Sequence, residues 1–314
     1  MEPTPPMSHR RPEKPASSIV GTGLVLVLAF LVVLVLFFMF SSLAPLFMGK
    51  CLAVVDINQE LMTDGTPASL LSAGTPGSEE MAQRIEELDK RDDIGGVLFI
   101  INSPGGSVVA TREVYTAVKE IKKPKVAFLR EVAASGAYYV ATGTDYIVSD
   151  PDVITGSIGV KTTVMEMSGL LEKIGVNVSD IKSGPHKDMD SGYRNMTDEE
   201  QAILQGMIDE VYQEFRSVVL ENRGDRLNKA KFNEVTDGRI LTGRQALKAG
   251  LVDQVGTRKD AIMKAAELAN ISAASADEVR LCEVSMVSEQ GGLFSMEGLI
   301  RSLQASSGVR ISYR

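Results

Sequence analysis

Histidine and cysteine are scarce in this chain of 314 residues, with two of each at His9, His186, Cys51 and Cys282. His9 sits in a charged amino-terminal tail, so no multi-ligand His/Cys metal site can be assembled. The same scarcity nearly excludes a Ser-His-Asp triad, since His186 alone remains as a base. Nor is there a basic excess. A net charge of −8 leaves no basic stripe to neutralise phosphates, which argues against a nucleic-acid partner. No motif calls for a cofactor. What is present, 44% hydrophobic and 24% charged residues, can bury a sizeable core in one large domain or two small ones.

Residues 1–18 are rich in proline and polar groups and carry Arg10, Arg11 and Lys14. Ile19 to Phe40 follows as 22 residues without a charge. At about 1.5 Å per residue that is roughly 33 Å of helix, enough to cross a bilayer. A cleaved signal peptide has a shorter apolar region, about 7–15 residues, and ends in a small-x-small site. Ser42-Leu43-Ala44 imitates such a site, but Pro45 hinders cleavage there. The reading is an uncleaved anchor over 19–40 with residues 1–18 in the cytoplasm. Basic residues precede it and only Lys50 closely follows, so the body lies outside the cytoplasmic membrane.

Beyond the anchor, strands and helices alternate. Leu52 to Ile57 reads as a strand, and 58–78 as a Gly/Pro/Ser/Thr-rich loop long enough to cover a substrate. Met81, Ile85 and Leu88 sit at helical spacing within 79–90. The continuous apolar run 96–101 suits a strand covered on both faces. The turn Asn102-Ser103-Pro104-Gly105-Gly106-Ser107 leads to a helix over about 108–122, then strand 125–130, a helix after Ser135 and strand 146–149. This order predicts a parallel sheet with helices on both faces. Residues 155–160 form a small-residue turn and strand, 165–174 a helix, and 181–188 a loop of breakers. Thr197 and Glu200 stand in capping-box spacing before a helix running to about Arg223 with Leu204, Ile208, Val211, Phe215 and Val218 as its stripe. A short helix, 243–249, closes at Gly250. After about Ile271 the pattern weakens, with 281–284 as a possible strand and 293–303 as an amphipathic helix.

Ser135 is the one hydroxyl among residues no larger than alanine at a strand-to-helix junction, where N–H donors are close at hand for an oxyanion. It could equally be a helix cap. With histidine so scarce, a neutral lysine amine is the available activator of a serine. Lys187 lies in the breaker loop beside Ser183, though surface lysines are common. Gly105-Gly106 is a candidate oxyanion turn or an ordinary tight turn, and Ser157 a hydroxyl that fixes the amine or a turn serine.

Five ordered motifs bear on these alternatives: Asn102-Ser103-Pro104-Gly105-Gly106, Ala133 to Tyr139, Thr155-Gly156-Ser157-Ile158-Gly159, Ser183 to Asp188, and Asp237-Gly238-Arg239 with Thr242-Gly243. Together, over roughly Leu52 to Gly256, they resemble the short form of the signal peptide peptidase SppA family, serine peptidases of the Clp protease and crotonase fold group. The resemblance implies an α/β fold with a parallel sheet flanked by helices. It implies Ser135 as nucleophile, Lys187 as general base, Ser157 as the hydroxyl that positions the amine, and the amides of Gly106 and Gly136 as oxyanion hole. The resulting division is a cytoplasmic tail 1–18, an anchor 19–40, a peptidase domain 41–271 and a C-terminal extension 272–314.

The expected function is a membrane-anchored endopeptidase that degrades signal peptides and other membrane-released peptides from the periplasmic or extracytoplasmic side. A catalytically idle membrane scaffold and a crotonase-like acyl-CoA enzyme are the competing readings. In the family's long form the lysine and serine lie on different repeat copies. This chain has one copy, so the expected partner is a second copy of itself, in an oligomer with shared active sites. Cys51 beside the anchor and Cys282 in the weakly patterned tail have no evident reason to meet, so two free thiols are expected.

Overall fold

The computed structural model describes residues 30–35, 49–67 and 74–286. The chain divides into two units, 1–49 and 50–314. In the first, residues 30–35 are helical and exposed. The remainder of the anchor 19–40, the tail 1–18, part of the 58–78 loop and the helix expected at 293–303 lie outside the described residues. Among the described residues no helix is long and apolar enough to cross a membrane.

The second unit is built on one eight-stranded sheet. Strands β1 (Cys51–Ile57), β2 (Ile94–Ser103) and β3 (Lys125–Ala134) form its parallel centre. Both faces of these strands are apolar because both are covered. Ala53, Val55, Val97, Phe99 and Ile101 point into the larger core, and Leu52, Val54, Leu98 and Ile100 into the smaller. The larger core is closed by helices α1 (Ser78–Glu87), α2 (Val108–Glu120) and α3 (Gly136–Ala141), with help from Phe215 and Val219. The smaller lies under α8 (Arg258–Leu268), which presents Ala261, Ile262, Ala265 and Ala266. Burial of such side chains contributes about 25 cal/mol per Å² and is the main force holding the layers together.

β3 divides the sheet. Its first half pairs with β4 (Tyr146–Ser149), and its last three residues pair with β5 (Ile154–Gly156). Opposite this fork the β2–β3 register shifts between Ile101 and Ser103. The end of β3, and Ser135 after it, thus exchange β4 for β5 as neighbour.

α4 (Ser168–Lys173) is shorter than the helix read from the sequence and has no buried residue. α5 (Asp198–Arg223) opens with the expected capping box of Thr197 and Glu200. α6 (Lys229–Val235), β6 (Ile240–Leu241), α7 (Gly243–Ala249), β7 (Gln254–Val255) and α8 follow in order. β8 (Leu281–Val284) pairs in parallel with β1 at the sheet edge.

Two expectations are corrected. The sheet is mixed, because β6 runs antiparallel to β5. The turn Asp237–Arg239, with Gly238 at φ +87°, folds the chain back along β5 to make a two-residue edge pair. Antiparallel edge strands on otherwise parallel sheets are common. The cysteines are not free either. Cys51 and Cys282 form a disulfide with Cα atoms 5.9 Å apart. Pairing of β1 with β8 sets Ala53 opposite Cys282, which places the two thiols on neighbouring strands despite 231 residues between them.

Candidate active site

Ser135 stands where β3 ends and α3 begins, at φ 54° and ψ −125°. A non-glycine residue in that region is strained, and such strain persists only where neighbours hold it. Here the Ser135 amide donates to the Gly156 carbonyl at 2.9 Å, and its carbonyl accepts from the Tyr139 amide at 3.0 Å. The backbone is thus fixed at both ends by main-chain bonds. The hydroxyl makes no capping bond to the helix, so the reading of Ser135 as a side-chain cap does not hold.

A second small-residue turn packs against it. A Cβ on Gly105, at φ +102°, would lie 2.6 Å from the Gly136 nitrogen and 3.1 Å from Ser135 Cβ. One on Gly136 would lie 2.2 Å from Thr111 Oγ1 and 3.3 Å from the Gly106 nitrogen. Only glycine lets these two backbones approach so closely. Ser103 Oγ accepts from the Gly105 amide at 3.2 Å, and Leu61 brackets the turn, donating to the Gly105 carbonyl at 2.8 Å and accepting from the Ser107 amide at 2.9 Å. The loop after β1 therefore clamps the Gly105–Gly106 turn through its backbone.

Both turns open into a cavity of about 770 Å³ lined by Ser135, Gly136, Gly106 and Ser157. Ser157 is also left-handed, at φ 49°, and its amide donates to the Arg239 carbonyl at 2.9 Å. Asp237 and Gly238 line the cavity beside it, and the Asp237 carboxyl is lowered to about 2 by its hydrogen bonds from Arg239. The opposite wall is apolar and aromatic. Tyr139 packs between Tyr115, at 4.9 Å, and Phe215, at 5.0 Å, and burial, with Glu214 nearby, pushes its phenol up to about 12. Arg112 and Glu214 pair across the cavity wall at 2.7 Å.

The structure therefore brings together Ser135, Ser157, Gly106 and Gly136. It does not bring Lys187 to them within one chain. Lys187 is exposed and is absent from the cavity lining, whereas Lys161 is part of it. No motif in the sequence marked Lys161, Thr111 or Leu61. Thr111 is one helical turn after Ser107 on α2, a spacing that every amphipathic helix shows. Leu61 acts through its backbone, which side-chain patterns cannot register.

Residues 117–272 match the model of peptidase family S49, and residues 67–147 that of Clp protease. A candidate protease of Methanocaldococcus jannaschii is 44% identical over 190 residues, 60% of each chain. A candidate signal peptide peptidase SppA of Enterococcus faecium is 35% identical over 205 residues, covering 64% of this chain and 59% of its own. The chloroplastic serine protease SPPA of Arabidopsis thaliana is 33% identical over 204 residues, 63% of this chain and 30% of its own. The chain thus spans about three fifths of the length of the first two relatives.

Proposed function

Residues 117–272 make this chain a member of peptidase family S49, with SppA signal peptide peptidases among its relatives, and from that premise we propose a serine endopeptidase that works through an acyl-enzyme on Ser135. The observation that carries the reading is the strained Ser135, whose hydroxyl is not used for capping and which opens, between two glycine turns, into a large cavity. In the first half-reaction Ser135 Oγ attacks the scissile carbonyl and the neutral amine of Lys187 takes its proton. The oxyanion is received by the amides of Gly106 and Gly136, with Ser157 orienting the amine. Collapse expels the amine product, which recovers the proton from Lys187. Water, deprotonated by the same lysine, attacks the ester carbonyl; the bond to Ser135 Oγ breaks, the acid product leaves, and Oγ recovers the proton from Lys187.

The lysine reaches the serine from a second copy of the chain. Lys187 is exposed and lies outside its own cavity lining, which supports delivery to a neighbour. The segment leading to it exposes Met165, Leu170, Ile174 and Ile181, apolar side chains that a partner copy would cover. Rotational symmetry repeats such a contact and closes a ring.

Substrates in this reading are spent signal peptides and other membrane-released peptides, for which the apolar wall of Val108, Tyr139, Val211 and Phe215 is suited. The anchor over 19–40 holds the enzyme in the cytoplasmic membrane with its catalytic domain on the extracytoplasmic side. The disulfide supports an oxidising location. Labelling by a fluorophosphonate probe tests the reading: the wild type is labelled and cleaves signal peptides, and Ser135→Ala does neither. Absence of labelling in active-site-accessible wild type would favour an idle scaffold instead.

A further inference from the structure

The turn that carries Lys187 has little main-chain support. Between Ser157 and Thr197 the chain contributes no strand to the sheet, and α4 buries nothing. Locally the turn closes on itself, with Lys187 N donating to the Gly184 carbonyl at 3.4 Å and Met189 N to the His186 carbonyl at 3.2 Å. Its tie to the rest of the molecule is a side-chain network. Asp188, next to Lys187 and nearly buried, accepts from Lys182 at 2.6 Å and from Arg194 at 2.7 and 2.9 Å. Arg194 then reaches Glu200 at 2.6 and 2.8 Å and the Asn195 carbonyl at 3.0 Å. All five guanidinium N–H groups are thereby used. Glu200, almost wholly buried, is also the capping-box residue of α5. Farther along, the same helix lines the Ser135 cavity with Ile208, Val211 and Phe215.

We infer that Arg194 is the positioning residue of the Lys187 turn, fixing the lysine to α5 by bridging Asp188 and Glu200. This inference rests on the reading of Lys187 as general base. A guanidinium is required because two carboxylates must be bridged in one plane with correct geometry, and an ammonium cannot do this. The ordered bridge also neutralises the carboxylate beside the lysine. The charged groups facing the turn are Lys182, Asp188 and Arg194 from the loop and Glu199 and Glu200 from α5, with His186 lying 3.6–3.7 Å from the two glutamates.

The full chain is compared with Arg194→Gln, Arg194→Lys, Asp188→Asn and Lys187→Ala, with thermal melts to verify folding. Arg194→Gln and Arg194→Lys should each lose about tenfold or more in kcat with little change in KM. In Arg194→Gln the uncompensated carboxylates favour the ammonium, so the acidic limb of the kcat/KM profile should move to higher pH. In Asp188→Asn a negative charge is removed, and the limb should move the opposite way. Mere loosening of the loop would lower kcat in both without opposite movements. If Arg194→Gln keeps the wild-type kcat and profile while Lys187→Ala is inactive, the positioning role is wrong and the dyad stands. If Lys187→Ala itself is active, the dyad reading fails first. Should Arg194→Gln not fold, Asp188→Asn carries the test, and a wild-type profile there overturns the inference.

Discussion

The side-chain oxygen of Asn102 accepts a hydrogen bond from the backbone amide of Val132 at 3.1 Å. This bond bridges the point where β2 and β3 lose register: Ile101 pairs with Leu129, but Ser103 pairs with Ala133. Two steps along β2 are matched by four along β3, so the ladder cannot satisfy the intervening amides itself. Asn102 supplies an acceptor for one of them. The bulged end of β3 then turns toward β5, and Ser135 follows at the tip, with its own amide bound to Gly156. Asn102 is thus tied to Ser135 through the path of one strand.

Asn102→Ala should leave the Val132 amide without its acceptor and lower stability by about 1–3 kcal/mol. Activity should fall as well, because the end of β3 carries Ser135. Asn102→Asp keeps the acceptor and should lose less of both. Urea denaturation and peptide hydrolysis measure the two effects. An alanine variant with the wild-type midpoint and kcat would show that the bond is incidental.

The buried pair Arg223–Asp253 makes a second, more distant demand on the fold. Two N–H···O bonds of 2.8 Å join them, Arg223 Nε donates to the Gly250 carbonyl at 3.0 Å, and Asp253 also accepts from the Ile147 amide at 2.8 Å. The pair therefore ties the end of α5 to β4 and to the chain after α7. Burial alone would raise the Asp253 carboxyl, but the bonds and charge of Arg223 outweigh it and hold it below the usual range. Its folded pKa is thus below the unfolded one. The stabilisation is present above about pH 4 and is lost as pH falls through the folded value. Arg223→Met should leave the buried carboxylate with only the Ile147 amide and Arg226, 3.4 Å away, and cost up to about 3 kcal/mol at neutral pH. The gap to wild type should shrink as pH falls from about 4 through the lowered folded pKa of Asp253, and close once the carboxyl is protonated in both. A constant gap from pH 7 to 3 would rule out this linkage.

The centre of this architecture was legible in the sequence because its strands are covered on both faces. Continuous apolar runs such as 96–101, each followed by a turn and a helical period, have few other solutions. The small-residue turns at Gly105–Gly106 and at Ser135–Gly136 were legible too, since close backbone approach requires small side chains. Other features depend on contacts between distant segments. β6 and β7 are two residues each, too short for any periodic signal, and their pairing is decided by the turn at Asp237–Arg239 and by the edges already formed. α8 was not read from the sequence, because its buried face is mostly alanine and its hydrophobic contrast is small. The meeting of Cys51 with Cys282 follows only from β8 choosing the free edge of β1. At the site, the sequence offered Ser135 and Lys187 as candidates but contained no distance between them.

The disulfide makes its own prediction. Unreduced, denatured protein should contain no titratable thiol, and reduction should release two. Cys282→Ser should cost about 3–5 kcal/mol, since the link closes a long loop in the unfolded chain. β8 is an edge strand of four residues, and hydrogen exchange there should rise more than in β2. Two thiols reacting before reduction would refute the bridge.

The origin of the base can be decided by mixing two inactive proteins. Ser135→Ala lacks the nucleophile, and Lys187→Ala lacks the amine; each alone should lose at least about a hundredfold in kcat. If each site combines Ser135 of one copy with Lys187 of the next, mixed assemblies contain interfaces where both are intact. Activity should then return on co-assembly, and reach roughly a quarter of wild type when random mixing places the right variant on each side. The competing account is a base from the same chain, and Lys161 in the cavity lining is the residue placed to provide it. That account predicts a different pattern: Lys161→Ala inactive, Lys187→Ala active, and no gain on mixing. Co-assembly is verified first by pulling down one tagged variant with the other. If the mixed assembly forms and stays inactive while both single variants are dead, delivery of Lys187 from a neighbour is wrong, and the exposed loop must instead fold back onto its own Ser135.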